Sequence, residues 1–216
     1  MCFLPNGELY RDFETIFNPI YGKDNEVKVE VLKALANGPK TGTELAEELG
    51  AGRNGRFSLL LKDLEEGGFI TPDQGKNPET GAETRIAKYR LRDNYTRFYL
   101  KYVLPHKEEI RRGSFKCVSL ELLPEWEAVR GLQFENLIVN NFAEVIPHLG
   151  LGNSIVLSAT PYRNMRKSAG QKTRGVQIDL LVQTQTTAYV VEIERKNHMG
   201  AEIEDEVRQK GLDCAG

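Results

Sequence analysis

Gly175-Val176-Gln177-Ile178-Asp179-Leu180-Leu181-Val182 is followed shortly by Tyr189-Val190-Val191-Glu192-Ile193-Glu194-Arg195-Lys196. Both runs are rich in β-branched and apolar residues, and the segment between them is polar, which reads as two strands and a turn. Each strand carries a carboxylate inside an otherwise apolar run. A carboxylate taken out of water is costly unless a cation or hydrogen bonds compensate it.

The turn predicts the register. With Gln185-Thr186 at the tip, Thr184 pairs with Thr187, and stepping back along both strands sets Asp179 opposite Glu192. Side chains alternate faces along a strand. One face then carries Val176, Ile178, Leu180 and Val182 with Tyr189, Val191 and Ile193, an apolar surface suited to a packed helix. The other carries Gln177, Asp179, Leu181 and Gln183 with Val190, Glu192 and Glu194. Like charges opposed across a ladder are destabilising. A hard cation such as Mg²⁺ or Mn²⁺, which prefers oxygen ligands, relieves that repulsion. The plainer alternative is a solvated hairpin whose acids face water, as most charged residues do.

Composition bounds the setting. The 216 residues suffice for one large or two small domains, and 40% apolar content supports real cores. A net charge of −2 announces no nucleic-acid partner globally. Cys2, Cys117 and Cys214 are far apart, which argues against zinc ribbons and disulfide frameworks and fits a reducing compartment. No apolar run has membrane-spanning length, and the first residues lack signal-peptide character. The expectation is a soluble cytoplasmic protein with no membrane partner.

Residues 1–25 read as a helical remnant, with Phe13, Ile16 and Phe17 marking one small helix. From Glu26, Val27, Val31, Leu32 and Leu35 have helical spacing, stopped by Asn37-Gly38-Pro39. Thr41 or Thr43 caps a second helix bearing Leu45, Ala46 and Leu49. A third, from about Asn54 to Glu66, turns Phe57, Leu60, Leu61 and Leu64 inward. A strand from Phe69, a polar loop and a return strand over 86–91 complete the order of a winged helix-turn-helix over 26–92. In such modules the third helix reads the major groove and the wing touches phosphate. The DNA-contact candidates are Arg53, Asn54, Arg56, Ser58 and Lys62, with Lys76 and Arg85 on the wing. Eleven Lys+Arg balance eleven Asp+Glu over 26–92, so a module relying on phosphate neutralisation binds DNA weakly alone. A winged helix used for protein packing is the alternative.

Gly50-Ala51-Gly52-Arg53-Asn54-Gly55 matches GxGxxG but follows a helix rather than a strand, so it is not a dinucleotide site. No GxxxxGK[ST] loop occurs, leaving no nucleotide site and no ATPase in this chain. Residues 93–125 form a helical connector whose Tyr95, Phe98, Tyr99, Tyr102 and Val103 read as core rather than a base-stacking platform. From Trp126, Leu132, Phe134, Leu137, Ile138, Phe142 and Val145 make an apolar helix with Glu135 at its centre. Ile155-Val156-Leu157 reads as a strand. Arg163, Arg166, Lys167, Lys172 and Arg174 then form a basic loop with no acid. Such a loop is either merely solvated or an attractor for a polyanion.

Helix with a central Glu, strand, strand with Asp, hairpin, strand with Glu-x-Glu, helix: this order over 126–216 resembles the PD-(D/E)XK nuclease fold. The chain as a whole resembles the C-terminal part of a family of archaeal and bacterial P-loop ATPases, in which the ATPase module precedes a winged helix and a nuclease-like domain. The stretches that carry this are Tyr89-Arg90-Leu91-Arg92-Asp93-Asn94-Tyr95-Thr96-Arg97-Phe98-Tyr99 and Gly131-Leu132-Gln133-Phe134-Glu135. The resemblance implies an α+β chain, a winged helix followed by an α/β domain with a small mixed sheet, lacking its last strand and helix after a helix over 201–212. It implies a P-loop ATPase partner in cis or trans. It also implies that Glu135, Asp179 and Glu192 are metal-associated carboxylates, with the ion polarising a phosphodiester and lowering the pKa of a water. The fold's usual Lys two after the last Glu is here Glu194, a variant some restriction-type nucleases carry, or else Lys196 reaches back. Three functions stand open on this reading: a Mg²⁺-dependent deoxyribonuclease, an inactive DNA and protein docking platform, and a plain winged-helix regulator.

Overall fold

The computed structural model describes residues 25–52, 54–74, 87–115, 119–164 and 176–193, with positions 3, 4, 7, 10, 11 and 15 ahead of them. Arg53, Lys76, Arg85, Arg166, Lys167, Lys172, Arg174, Glu194 and Lys196 lie outside the described residues, as do Phe13, Ile16, Phe17 and the helix expected over 201–212. The chain is α+β and splits into two compact units, Met1–Pro72 with Lys88–Gln133, and Asp73–Ala87 with Phe134–Gly216.

The first unit runs α1 (Asn25–Ala36), β1 (Lys40–Thr41), α2 (Gly42–Glu48), α3 (Gly55–Glu66), β2 (Ile70–Asp73) and β3 (Lys88–Leu91). Its sheet has the order β1-β3-β2, with Lys40 facing Tyr89 and Thr41 facing Lys88 in antiparallel pairing. Of the two capping candidates, Thr41 caps α2. Its hydroxyl accepts from the Glu44 N–H at 3.1 Å, and the Glu44 carboxylate accepts from the Thr41 N–H at 2.6 Å. This reciprocal box satisfies two otherwise orphaned donors, and the Thr41 N–H holds the Glu44 carboxyl below its usual range. Asn54 caps α3 by accepting from the Phe57 N–H at 3.0 Å.

Phe57, Leu60, Leu61 and Leu64 are all buried, in one core with Val31, Leu32, Leu35 and Leu45. Val27, expected on the inner face of α1, is instead 43% exposed, and Lys28 is buried. The inward stripe is therefore 28-31-32-35, the i, i+3, i+4, i+7 spacing of one helical face, and Val27 lies about 100° away from Lys28. The Lys28 ammonium reaches Asp63 of α3 at 2.8 Å.

Beyond β3 come α4 (Asn94–Phe98), a π-helical turn (Tyr99–Val103), α5 (Lys107–Arg111), a 3₁₀ turn (Leu120–Leu122) and α6 (Trp126–Asn140). Phe98, Tyr99, Tyr102 and Val103 are buried in the same core, which is the structural use the sequence assigned to these aromatics. Asp93 caps α4, accepting from the Tyr95 N–H at 3.3 Å and the Thr96 N–H at 2.7 Å. Arg97 is only 1% exposed. Its guanidinium donates to the Leu91 and Leu132 carbonyls, each at 3.4 Å. Beside it the Asn94 amide donates to the Gln133 carbonyl at 3.0 Å, and the Gln133 amide returns a bond to the Asn94 carbonyl at 3.1 Å.

The second unit contains the last turns of α6, then α7 (Phe142–Val145), a 3₁₀ turn (Ile146–Leu149), β4 (Val156–Asn164), β5 (Val176–Thr184) and β6 (Ala188–Val191). The sheet order is β4-β5-β6. Where a mixed sheet was expected, the described strands pair antiparallel throughout. β4 is longer than the expected strand at 155–157 and takes in Arg163, which pairs opposite Gln177 instead of opening a loop. The expected apolar face of α6 is also corrected. Its buried positions are Val129 and Asn136, one heptad apart and so on one face, while Leu137 is 52% exposed. Among the described residues no helix is long and apolar enough to cross a membrane.

Replacing Arg97 by Met keeps an unbranched apolar stem but removes the guanidinium donors to the Leu91 and Leu132 carbonyls. Unfolding in urea should show a loss of about 2–3 kcal/mol, with a lower midpoint and an unchanged slope.

Candidate functional site

The β5–β6 hairpin is closed by one threonine. The Thr184 N–H donates to the Thr187 carbonyl at 2.8 Å, and the Thr184 hydroxyl accepts from the Thr187 N–H at 3.1 Å. That turn fixes the pairs Gln183–Ala188, Val182–Tyr189, Leu181–Val190 and Leu180–Val191. This is the register read from the sequence, and its next step is Asp179 with Glu192. Both carboxylate residues are half-buried.

The ladder of β6 ends at Val191. Past that end the Ile193 N–H donates to Asp179 Oδ2 at 3.0 Å. The Asp179 side chain thus replaces a backbone carbonyl as the partner of the departing strand. A charge-assisted bond of this type is stronger than a neutral one, and it fixes the direction of the carboxylate.

The opposite neighbour of β5 explains why Asp179 is free to do this. Thr160 pairs with Leu181 but Tyr162 pairs with Ile178, so Asp179 and Leu180 together oppose Pro161. Proline has no N–H to give the ladder, and two residues facing one is a β-bulge, a device that re-aims side chains. Strict alternation fails here. Leu180 and Val182 pack with Leu151, Val139 and Phe142 on the helical side. Ile178, expected on that same face, clusters instead with Tyr162, Leu181 and Val190. The second face is therefore not an open polar surface, because Leu181 is 3% exposed. Sequence reasoning missed Tyr162 and the Ile193 amide, and the one signal for either was a proline inside a strand.

Glu135 lies on α6 and is half-buried. Among the described residues no three His, Cys, Asp or Glu side chains gather as a metal-holding group. Continued one step past its last pair, Leu180 with Val191, the hairpin register would set Asp179 opposite Glu192. The donors present are carboxylate oxygens, the chemistry that suits Mg²⁺ or Mn²⁺.

The other candidate surface is the outer face of α3. The Asn54 side chain is committed to the helix cap. Arg56 and Ser58 are exposed on the first turns, and the Ser58 hydroxyl donates to the Asn54 carbonyl at 3.3 Å. Lys62 is exposed and pairs with Glu66 at 3.5 Å. Asp63, Glu65 and Glu66 are exposed on the last turns, so the positive end of this face is its N-terminal end. Arg163 lies on β4.

No protein-family model matches the chain, and no curated protein or solved structure matches it either. Residues 89–99 and 131–135 meet in space, since Asn94 and Gln133 exchange hydrogen bonds and Arg97 reaches the Leu132 carbonyl.

Asp179→Ala removes the acceptor of the Ile193 N–H, whereas Asp179→Asn retains an amide oxygen in its place. Hydrogen exchange should accelerate at Ile193 by roughly tenfold in the alanine variant, for a bond to a charged acceptor worth about 1.5 kcal/mol. In the asparagine variant the change should stay within a few-fold.

Proposed function

We propose that this chain is a DNA-binding protein with a nuclease-like, divalent-metal-dependent phosphodiesterase domain, working with a P-loop ATPase module. The observation that carries the metal reading is the register of β5 and β6, paired as far as Leu180 with Val191, whose next step would set Asp179 opposite Glu192, two half-buried acids whose repulsion a hard cation offsets. The order of α1, β1, α2, α3, β2 and β3 supports a winged helix-turn-helix, with α3 as the recognition helix.

Asp179 and Glu192 are the residues that would hold Mg²⁺ or Mn²⁺. The ion supplies Lewis acidity toward a phosphodiester and lowers the pKa of a water. The Ile193 N–H orients the Asp179 carboxylate, so that its second oxygen is the one left to a ligand. Glu135, Glu194 and Lys196 complete the set that the resemblance implies. Arg163, Arg166, Lys167, Lys172 and Arg174 would draw the phosphate backbone, and Arg53 and Arg56 would meet it at the N-terminal end of α3. Because the acids on the last turns of α3 oppose phosphate, DNA affinity from this module alone is expected to be weak and steeply salt-dependent.

A second reading, an inactive docking platform, is favoured by one observation. The Asp179 carboxylate already serves as a strand-end acceptor, a role that requires no metal.

Plasmid and single-strand cleavage with Mg²⁺ or Mn²⁺ separates the two. Asp179→Asn and Glu192→Gln conserve shape while removing charge, and each should lower the cleavage rate at least 100-fold, the scale of losing a group that stabilises transition-state charge. Their circular dichroism should match the unmodified chain. Cleavage unchanged in both variants would overturn the assignment, and no cleavage by a folded unmodified chain would favour the docking platform.

A further inference from the structure

Away from the hairpin, the first unit holds a cleft of about 620 Å³, within the size range of ligand sites. Its walls come from the end of α1 (Ala36), the 3₁₀ turn region (Leu123) and the start of α6 (Ala128, Val129, Leu132). Trp126, the sole tryptophan of the chain, lines it as well. Its indole is half-buried, with the Tyr102 ring tilted against it at 5.9 Å. At the lip stand Lys101, Glu121, Glu125 and Glu127.

Two rare backbone conformations converge on this lip. Lys101 lies inside the π-helical turn Tyr99–Val103, a rare form that is frequent at functional sites. Glu125 has φ 55, the one positive value for a non-glycine among the described residues. Such a conformation costs of order 1 kcal/mol and persists only where the surroundings enforce it. These two residues are each other's partners, Lys101 Nζ lying 2.6 Å from Glu125 Oε2. The ammonium holds the Glu125 carboxyl below its usual range.

The remaining charges decide what could enter. Glu127 is paired with Arg130 of the same helix. Among the described residues Glu121 makes no ion pair, so within that set it is the one lip carboxylate without an ionic partner. Leu122, the next residue in the same 3₁₀ turn and outside the cleft lining, is a large apolar side chain 76% exposed. An open cleft with an aromatic wall, one spare negative charge and an exposed leucine is complementary to a cation flanked by an apolar group. Guanidinium and ammonium groups gain further from an indole face.

We infer that this cleft docks a segment of a partner protein that presents an arginine or lysine beside an apolar side chain. The cationic head meets Glu121 at the lip, and the apolar neighbour covers Leu122 and the Trp126 wall. The Lys101–Glu125 pair fixes the lip geometry and rejects an acidic segment by leaving Glu121 unscreened.

Trp126 reports on the cleft directly, being the only indole in the full chain. Titration with a blocked Gly-Leu-Arg-Leu-Gly peptide should give a saturable change in its emission, and the same peptide with Glu in place of Arg should give none. Glu121→Gln sits on an exposed turn, so folding is not at risk. It should weaken the arginine peptide by about three- to fivefold, the scale of one solvent-exposed ion pair. Leu122→Ser should weaken arginine and lysine peptides alike. Absence of a saturable change, equal binding of the acidic peptide, or indifference to Glu121→Gln would each overturn the assignment. None of these outcomes depends on metal or DNA, so this inference stands or falls separately from the nuclease reading.

Discussion

Taking a charge or an amide out of water costs several kcal/mol unless a partner replaces the lost solvent, and both units of this chain are organised by side chains in that position. In the first unit the buried Arg97 guanidinium ties the end of β3 to α6 through the Leu91 and Leu132 carbonyls. The Asn94–Gln133 exchange lies beside it. Apolar packing of the three-helix core stabilises but is non-directional. Hydrogen bonds of fixed geometry select one placement of α4 against α6 from the many that packing alone tolerates. Lys28 does the same between α1 and α3, where its buried ammonium meets Asp63.

In the second unit the same constraint acts on a carboxylate. Pro161 offers no N–H, β5 bulges opposite it, and Asp179 is turned to accept from the Ile193 amide where the β6 ladder ends. A bulge, a strand end and a half-buried acid thus meet at one position. The Thr184 turn matters because side chains alternate with a period of two. A slip of one residue would re-pair Leu180, Leu181 and Val182 with the wrong partners on β6 and turn their side chains to the other face. The site therefore depends on a hydroxyl at the far end of the hairpin.

How much of this was legible follows from the range of each interaction. A capping threonine at 41 or 43 and the inward spacing of Phe57, Leu60, Leu61 and Leu64 are set within one or two helical turns, whereas Asn54, just as local, was read as a DNA contact and caps α3. Each is readable from neighbouring residues. The β5–β6 register was readable for the same reason, because a short turn dictates it. Arg97, Lys28 and Asn136 were not readable as buried groups, since their residue types argue for solvent and their burial depends on tertiary packing. The two-residue strand β1 is too short to carry a pattern. The bulge at Pro161 needed knowledge of which strand lies beside β5, and the sequence offered only a proline within a β-rich run. Leu137 was misread because an apolar residue adjacent to a buried face is indistinguishable, by composition, from one on it.

The central proposal is that Asp179 and Glu192, one step beyond the last pair of β5 with β6, hold a divalent cation. Substoichiometric Mn²⁺ added to the isotopically labelled full chain tests it most directly, because a paramagnetic ion broadens the amide signals nearest to it. The account predicts that Leu180, Val191 and Ile193 broaden first, that Mg²⁺ restores them by competition, and that Glu192→Gln abolishes the effect. Broadening centred elsewhere, or the same pattern persisting in Glu192→Gln, would contradict it.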